Sequence, residues 1–590
     1  MLVTTEEQYQ EMLEKLRAGP TVTVYDLETT GLHAFQQDRL IGVAILIPDM
    51  TGTTTGESFY LPFRHQTGVN LPITALYRLA PFLADPTRWL VGFNLKFDVH
   101  FTEAERIPVF NQYIDVMLAA HLANENELGF GLKKLGAKYI DATAAQAELD
   151  LTLKLKAQGL KKNGMQYLLP EEVAPYAEQD VRLTWQLAQF YQHSLTEQGI
   201  ESLWAEVNEY AQVVTAMERR GVLVDPRGCR RQLEHAIYQQ TELYAQMEAI
   251  VGAPFNPNSV PQLRKILGQQ ATDRAALAVC EHPLARPLLK YRSWAKAAGT
   301  YYQNFLNNMD HACRVHPNLN MIGTVSSRLS CTQPNLQALP KDNDVYAVRD
   351  LIVAPPGYVL MAWDWSQVEL RLLAHYSEDP FLLEAYRQDK DIHQETADRL
   401  NIPRDTAKRT NFSMVYGVGK DGLAEALGIA VPVAAQLLNR YHRMIPGIRT
   451  LSRTAEQIAT SQRRIPMWTG RLRHYRDEDL TYRGMSHLIQ GGVAEMMRVA
   501  ITALHNLMVG TSAHLILQVH DEVLCEIPVG QEAHWAKLIK ATMEKFHFSV
   551  PIKAEGKIGY AWGKSYTRPI VFDDTGTPTW EPIPPREERI

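Results

Sequence analysis

Acidic side chains follow two strand-like segments near the N-terminus, at a spacing that suits the binding of divalent cations. Asp26 and Glu28 come at the end of the apolar run 22–27, and residues i and i+2 of a strand point to the same face. Asp98 follows a second short apolar segment, 89–93, within the sequence Asn-Leu-Lys-Phe-Asp. Carboxylates grouped at the ends of strands can hold a hard cation such as Mg²⁺.

A helical segment adds a fourth acid and an aromatic hydroxyl. Tyr176 and Asp180 are four residues apart and therefore share one helix face. Four acids and a tyrosine suit phosphodiester hydrolysis, in which two metal ions activate a water and stabilise the leaving oxygen. The Tyr176 hydroxyl could position that water. Any one of these acids alone would be explained as a solvated surface charge. The whole set, in this order at two strand ends and on one helix, indicates a nuclease site.

A further carboxylate ends a predicted strand in the second half of the chain. Asp364 lies near the end of the apolar segment 358–365, and a helical pattern follows. Ser366 and Glu369 have the spacing of a capping box, so plain helix capping would explain those two residues. It would leave a carboxylate at a buried strand end unexplained, and Asp364 is therefore a candidate metal ligand.

The tripeptide His-Asp-Glu at 520–522 separates two apolar segments, 514–519 and 523–527. This pattern predicts a β-hairpin with two acids at its turn. Asp364 and Asp521 together could hold two Mg²⁺ ions on a triphosphate.

The segment 404–417 predicts a helix, with Asn401 as its cap and Pro403 in its first turn. Four side chains recur every fourth residue and form one stripe, cationic at its start and aromatic at its end. A nucleoside triphosphate has a matching layout, so the cations would hold phosphates and the rings would contact sugar and base. The alternative is an amphipathic helix with its cations in water and its rings in the core. The stripe consists of Arg404, Lys408, Phe412 and Tyr416.

These segments resemble two parts of one enzyme family. The N-terminal set resembles the DEDDy-type 3′→5′ proofreading exonuclease of DNA polymerases. Asp364, the helix 404–417 and the hairpin resemble motifs A, B and C of the family A DNA polymerases, the bacterial DNA polymerase I group. The resemblance covers about residues 20–562. Supporting matches are Ser326–Ser330, Pro334–Gln337, Asp391–His393, Gln490–Gly491 and Gly559–Trp562.

The resemblance implies a multidomain α/β and α+β fold, in which an RNase H-like exonuclease domain precedes a right-hand polymerase domain with thumb, palm and fingers. The chain leaves no room for a 5′-nuclease domain before the exonuclease, which favours a replicative or phage-type enzyme. The proline-rich, acidic C-terminus predicts an extended tail that could dock a replisome partner. We expect the exonuclease at 1–198, the thumb at 199–315, the palm at 316–375 and 501–562, the fingers at 376–500 and the tail at 563–590.

The family implies roles for particular residues. Asp26, Glu28, Asp98 and Asp180 would bind two Mg²⁺ ions, with Tyr176 orienting the water. Asp364 and Asp521 would bind two more, with Glu522 beside them, and Mn²⁺ is a possible substitute. Lys408, Arg404 and His393 would contact the incoming dNTP, Phe412 and Tyr416 would line its pocket, and Glu369 would reject a ribose 2′-hydroxyl. Gln367, Arg328, Gln490 and His520 would touch the primer–template DNA, and Asn335 and Gln337 are further substrate-binding candidates.

The sequence departs from the family pattern at four positions, which bear on fidelity, nucleotide selectivity and speed but remove no metal ligand. They are Trp365 for tyrosine, Ser327 and Ser413 for glycine, and Ser486 for asparagine. Phe412 in place of tyrosine predicts discrimination against dideoxynucleotides.

Composition leaves the function open but limits its setting. The formal net charge of −6 argues weakly against a nucleic-acid binder, although local patches decide the potential that DNA meets. The five cysteines include no CxxC pair, which favours free thiols in a reducing cytoplasm, the host's if the protein is phage-encoded. The arginine-rich stretch 463–476 predicts contact with phosphate backbone or, alternatively, a solvated charged surface. We expect a monomer and no membrane association.

Three other readings remain open. A single-subunit RNA polymerase shares the right-hand fold, but Glu369 and the proofreading motifs argue against it. A nuclease on an inactive polymerase scaffold would not explain intact Asp364, Asp521 and Lys408. A purely structural protein would need two complete sets of acids to arise by chance.

Overall fold

A five-stranded mixed sheet organises the N-terminal third of the chain. The computed structural model describes residues 1–51, 55–161, 163–341, 345–476 and 478–584. β1, β2 and β3 pair antiparallel, and β4 and β5 run parallel to β1, in the order β3-β2-β1-β4-β5. Every residue of β2 is buried, because helices cover both faces, and its sequence therefore lacks the alternation of a half-exposed strand. The strands are β1 (Val22–Thr29), β2 (Leu40–Ile47), β3 (Glu57–Pro62), β4 (Trp89–Gly92) and β5 (Gln112–Asp115).

Eight helices accompany this sheet in the described ranges up to Gln198. The longest, α8, packs across β1, β2 and β3 and contacts α5, α6 and α7. Two separate apolar clusters fill the two sides of the sheet. The helices are α1 (Glu6–Ala18), α2 (Ile73–Leu76), α3 (Ala80–Leu83), α4 (Leu95–Ala104), α5 (Val116–Ala123), α6 (Leu132–Tyr139), α7 (Gln146–Ala157) and α8 (Pro170–Gln198).

A helical region with short strands follows. α9 contacts α4, α5 and β5 on one side, and on the other it contacts helix α22 (Gly484–Met508) and strand β13 (His514–Val519) of the C-terminal half, so it joins the two halves of the chain. α13 continues through a π-helical stretch, Ala297–Gln303, into α14. The elements are α9 (Glu201–Arg220), β6 (Val222–Leu223), α10 (Pro226–Val251), α11 (Val260–Leu267), α12 (Arg274–Ala278), α13 (Ala285–Lys296), α14 (Asn304–Asn308), β7 (Arg314–Val315), β8 (Asn318–Asn320) and β9 (Ser330–Thr332).

The C-terminal half alternates one antiparallel sheet with a block of helices. Its largest apolar cluster runs through both, from the sheet strands to α22. The elements are β10 (Tyr358–Trp365), α15 (Val368–Ser377), α16 (Pro380–Arg387), α17 (Ile392–Leu400), α18 (Arg404–Val415), α19 (Lys420–Leu427), α20 (Val431–Met444), α21 (Pro446–Gln462), β11 (Arg464–Pro466), β12 (Leu472–His474), α22 (Gly484–Met508), β13 (His514–Val519), β14 (Glu522–Pro528), α23 (Glu532–Glu544), β15 (Ala554–Gly559), β16 (Thr567–Phe572) and β17 (Pro578–Thr579). Short 3₁₀ turns lie at Tyr77–Leu79, Met165–Tyr167, Leu336–Ala338, Arg349–Leu351, Glu478–Arg483 and Lys564–Tyr566.

The six-stranded sheet has the order β13-β14-β10-β15-β16-β17. β10 is its third strand, and the hairpin predicted around 520–522 supplies the two strands beside it. The prediction of an extended tail after 562 is wrong for the described residues up to 584, since β16 pairs with β15 and β17 pairs with β16. The proline content of this segment favoured an extended tail. Pro569 nevertheless lies on a strand near the sheet edge, where a missing N–H is tolerated.

Two further expectations concern cysteines and membranes. All five cysteines are free thiols, as their spacing predicted. Within the described residues, no single helix has the length and apolar character to cross a bilayer. One bent pair, α19 with α20 at 109°, meets the length and composition criteria only when the two helices are joined.

Candidate active sites

The N-terminal acids meet at the central strand of the first sheet. Asp26 and Glu28 lie on β1, two residues apart, and Asp98 lies in the first turn of α4. The Leu27 backbone N–H donates to Asp98 Oδ1 at 3.0 Å, which places this carboxylate beside the strand between the other two acids. Asn94, the residue before α4, lies in the left-handed region with φ 63°, so the chain turns sharply from β4 into the helix.

These carboxylates are crowded and poorly solvated. Burial raises the pKa of Asp26 to about 6. Burial and the neighbouring Asp26 raise the pKa values of both Glu28 and Asp98 well above their ordinary range. Glu28 Oε1 is buried without a hydrogen-bond partner in the described part of the chain. An orphaned acceptor inside a group of acids suits a divalent cation, because the cation would supply the missing positive charge.

α8 brings the remaining two predicted residues to the same place. Asp180 is buried and forms an ion pair with Lys133 of α6. The Lys133 ammonium also lies 4.5 Å from the centre of the Tyr176 ring. Burial and the charges of Glu28 and Asp26 raise the pKa of Tyr176, so its hydroxyl is neutral and close to those acids. The five predicted residues therefore share one site, and Lys133 joins them without having been predicted.

The second acid set lies where β10 meets the hairpin. Asp364 on β10 stands directly opposite Glu522 on β14. His520 has φ 57°, a left-handed conformation that makes the tight turn carrying Asp521. Burial, followed by the charges of Asp521 and Glu522, raises the pKa of Asp364 to about 7, although its side chain still reaches solvent. Burial and the charge of Glu369 raise the pKa of Asp521.

Glu522 is held from its other side. The Trp562 indole N–H donates to Glu522 Oε1 at 2.6 Å. Arg349 stacks on the Trp562 ring at 4.1 Å, and its guanidinium is 4.0 Å from Glu522 Oε2. Across the described residues, no group of three or more His, Cys, Asp or Glu side chains is already arranged to hold a metal ion.

The predicted stripe lies on α18, and its two cations are open to solvent. Arg404 donates from Nε and Nη2 to Asp391 Oδ2 at 2.9 and 2.7 Å, so its guanidinium is already paired with a carboxylate. His393 Nδ1 lies 3.0 Å from the Asn411 amide, and its ring is 5.7 Å from the Phe412 ring. Lys408 is exposed one turn from Arg404.

Glu369 is buried between two donors. Arg328 Nη2 is 2.6 Å from Glu369 Oε1, and the Tyr416 hydroxyl donates to Oε2 at 3.0 Å. Helix capping does not explain Glu369, because the residue before α15, Gln367, has φ 55° and the helix has no side-chain cap. The capping alternative for this motif is therefore wrong, and the Gln367 amide oxygen instead accepts from Tyr386 at 3.1 Å.

Three predicted contact residues support the protein backbone or a neighbouring side chain. Gln337 is buried, and its Nε2 donates to the Gln518 carbonyl on β13 at 3.0 Å, next to the turn at 520–522. Asn335 is exposed and caps a 3₁₀ turn through Oδ1. Gln490 Nε2 approaches Ser486 Oγ at 3.4 Å on α22.

Two local predictions need correction. Asn401 does not cap α18: it ends α17 in the left-handed region at φ 49°, and α18 begins after Pro403 without a side-chain cap. Within the arginine-rich stretch, Arg471 and Arg473 are buried and neither face DNA nor remain solvated. They belong to a buried network between the two halves of the chain.

That network centres on two glutamates. Arg473 pairs with Glu125, which follows α5, while Arg471 pairs with Glu495 at 3.3 Å and lies 3.2 Å from His121 Nδ1. His474 approaches Glu125 Oε2 through Nδ1 at 2.8 Å and donates its backbone N–H to Oε1 at 2.7 Å. Sequence reasoning missed Glu125 because its partners lie more than 300 residues away.

A cavity of about 330 Å³ lies between α4 and the segment around β8. Its wall includes Leu32 and Phe97, the residue before Asp98. A buried cluster lines another side, where Glu218 accepts from Lys96 at 2.6 Å and lies 2.7 Å from His100 Nε2.

Comparisons with known proteins agree with both sites. Residues 227–564 match DNA polymerase family A, and residues 1–196 match the family described as 3′-5′ exonuclease. DNA polymerase I of Chloroflexus aurantiacus is 29% identical over 601 residues, which cover 94% of this chain and 62% of that protein. DNA polymerase I of Pseudomonas aeruginosa is 28% identical, covering 96% and 66% respectively. The chain thus spans less than two thirds of the length of these relatives.

One solved structure shares the overall fold. It is described as the POL domain of Pol1 from M. smegmatis in complex with DNA primer-template and dNTP. It superposes with a TM-score of 0.80 at 22% identity and covers 95% of this chain and 99% of that one. The family matches thus place an exonuclease-type region, 1–196, before a polymerase-type region, 227–564. The chain belongs to DNA polymerase family A.

Proposed function

We propose that the chain carries out template-directed DNA synthesis, adding dNTPs to a primer 3′ end in DNA replication, with 3′→5′ exonucleolytic proofreading. The observation that carries this proposal is the second acid set. Asp364 stands opposite Glu522, Asp521 lies in the adjoining turn, and Glu369 links the set to Tyr416 at the end of the α18 stripe. The acids suit the metal ions that bind a nucleotide's phosphates. The cationic start of the stripe suits the phosphates themselves, and its aromatic end suits the base.

The residues at both sites fit divalent cations. Asp364 and Asp521 would hold two Mg²⁺ ions at one site, and Asp26, Glu28, Asp98 and Asp180 would hold two at the other, with Mn²⁺ as a substitute. Bound ions supply an activated nucleophile and stabilise the leaving oxygen. The raised pKa values of Asp26 and Asp364 support this, because crowded carboxylates gain most from a cation.

In synthesis, α18 binds the nucleotide along its length. Arg404 and Lys408 hold the phosphates, and Arg404 must first exchange Asp391 for a phosphate oxygen. Phe412 and Tyr416 contact the sugar and base. Glu369, fixed by Arg328 and Tyr416, forms a wall that a ribose 2′-hydroxyl would meet.

In proofreading, Tyr176 positions the attacking water with a hydroxyl that stays protonated. The cavity beside Phe97 accepts the unpaired 3′ end. Because it lies between the N-terminal sheet and the β8 region, the strand would enter from the polymerase side of the molecule.

The partners proposed here are primer–template DNA and dNTPs. Gln367, Arg328, Gln490 and His520 are the proposed DNA contacts, and Asn335 is exposed beside them. Free thiols support a reducing, cytoplasmic setting, and we propose a monomer, to be checked by light scattering. A replisome partner would have to bind a folded surface at β16 and β17, since these strands belong to the sheet.

The domain assignment also stays a proposal. We assign the exonuclease to 1–198, the thumb to 199–315, the palm to 316–375 and 501–562, and the fingers to 376–500. β16 and β17 are best grouped with the palm, because they extend its sheet.

Primer extension tests the two sites together. A labelled primer–template with Mg²⁺ should be extended with dNTPs and shortened from its 3′ end without them. Asp521→Ala should abolish extension and leave shortening, while Asp26→Ala with Glu28→Ala should do the reverse. Equal loss of both activities in either variant would contradict two separate sites. Shortening alone in the unmodified protein would indicate a nuclease on an inactive scaffold, and preferential use of ribonucleotides would indicate an RNA polymerase.

A further inference from the structure

Lys133 occupies an unusual place for a lysine. It lies in the first turn of α6, where the positive end of the helix dipole disfavours a cation. Its neighbour Lys134 follows the ordinary pattern, since it is exposed and its Nζ donates to the Leu128 carbonyl at 3.1 Å. The Lys133 side chain is only 12% exposed. A long cation turned inward against the dipole needs a compensating anion.

The groups around Lys133 are those of the N-terminal acid site. Its ammonium pairs with Asp180 and lies 4.5 Å from the centre of the Tyr176 ring. Its charge also acts on Asp26 and Glu28 across the site. One ammonium therefore touches or influences four of the five residues that the sequence predicted for this site.

We propose that Lys133 is an internal counter-cation of the metal-free exonuclease site, and that a divalent cation must displace it from Asp180. The proposal rests on the proposed exonuclease function only for the identity of the site. An ammonium on Asp180 and a metal ion on Asp180 exclude each other, since both need the same carboxylate and repel one another. The Tyr176 ring, whose centre already lies 4.5 Å from the ammonium, can retain it after displacement from Asp180.

This competition has two opposite consequences. Without metal, Lys133 offsets the repulsion among the acids and stabilises the folded chain. With metal, it opposes binding, so metal affinity is lower than the four acids alone would give. A residue that merely supported the fold would leave metal affinity unchanged, or would lower it when removed.

The test measures metal binding directly, apart from any catalysis. The full-length chain carries Asp364→Asn and Asp521→Asn, so that the N-terminal acids remain as the strong site. Mn²⁺ binding is followed by electron paramagnetic resonance for Lys133→Met, which keeps an unbranched stem, for Lys133→Gln, and for the matched control Lys134→Met. Melting temperatures are recorded with EDTA and with saturating Mn²⁺.

Lys133→Met and Lys133→Gln should bind Mn²⁺ about tenfold more tightly, since each removes a unit charge a few ångströms from the metal. Both should melt lower than the parent in EDTA, with the difference closing at saturating Mn²⁺. Lys134→Met should match the parent in both measurements. Lys133→Arg keeps the charge, and its guanidinium can donate two parallel hydrogen bonds to a carboxylate. This variant should bind Mn²⁺ no more tightly than the parent.

Unchanged or weaker Mn²⁺ binding in Lys133→Met and Lys133→Gln would overturn the proposal. If neither variant folds, tighter Mn²⁺ binding by Lys133→Arg would overturn it and weaker binding would support it. Digestion of single-stranded DNA by the unmodified chain separates this result from the proposed function. A chain that digests no DNA but gains Mn²⁺ affinity on loss of Lys133 refutes the exonuclease and keeps the counter-cation.

Discussion

Glu125 is the single carboxylate whose loss should most weaken the junction between the N-terminal sheet and the rest of the chain. It is buried, pairs with Arg473, and receives the His474 backbone N–H at 2.7 Å. Glu125→Gln removes the charge and keeps the shape. Because Arg473 is also buried, the variant leaves a guanidinium without its counter-charge.

The magnitude follows from the shift in pKa. Burial opposes ionisation of Glu125, but hydrogen bonds and charges from His474 and Arg473 outweigh it and lower its pKa from 4.5 to about 2. At about 1.4 kcal/mol per pKa unit, the ionised form contributes roughly 3 kcal/mol. Removing one partner of a buried ion pair costs about 3–5 kcal/mol by an independent route. We therefore expect Glu125→Gln to destabilise the junction by about 3 kcal/mol at pH 7.

The sign of the pH dependence is fixed by the direction of the shift. The folded pKa lies below the unfolded one, so the contribution is complete above about pH 4.5 and disappears as the pH falls towards 2. The difference between Glu125→Gln and the unmodified protein should shrink over that interval. Glu14→Gln, at an exposed position on α1, is the matched control and should show no such difference.

Hydrogen exchange with mass spectrometry is the suitable assay, because a chain of this size does not unfold in two states. Peptides covering β12 and the end of α5 should lose protection in Glu125→Gln, while those in β10 should not. Adding Arg473→Met should restore part of the loss, since it removes the unpaired cation. A Glu125→Gln effect below about 0.5 kcal/mol, or a double variant that is simply additive, would refute the reasoning.

Two predictions concern the polymerase site. Trp562→Phe removes the indole donor to Glu522 and frees that carboxylate to turn toward a bound ion, so extension should need roughly two- to fivefold less Mg²⁺ for half-maximal rate. The 3′ shortening should not change, and an unchanged Mg²⁺ requirement would mean that the indole does not restrain Glu522. Phe412→Tyr adds a hydroxyl to the nucleotide pocket, which should ease dideoxynucleotide incorporation about tenfold or more. Competition between dNTP and ddNTP on a primer measures this ratio, and a constant ratio would remove Phe412 from the pocket.

Local patterns predicted the elements that carry the chemistry. β10 has the predicted bounds, and β13 begins and ends as expected. Asp26, Glu28 and Asp98 come together because acids at strand ends are placed by the sheet itself. The period of the apolar residues and the type of each polar residue are enough to place a side chain when its position depends only on its own strand or helix.

Predictions failed where partners are distant in sequence. Arg473 was interpreted as a surface cation because its buried acid lies 348 residues away. Lys133 stands in an ordinary lysine pair, and nothing in its neighbours says which of the two turns inward. The strands after 562 were missed because their pairing depends on β15 rather than on their own proline-rich sequence.

In both acid sets one acid is already engaged by a donor of the chain. Asp180 has Lys133, and Glu522 has Trp562 with Arg349 behind it. A partner of this kind offsets the repulsion that neighbouring carboxylates exert on one another. The two engagements differ in one respect: the ammonium competes for a proposed ligand, whereas the indole restrains an acid beside the ligands. Loss of Lys133 should therefore change metal affinity more than loss of Trp562.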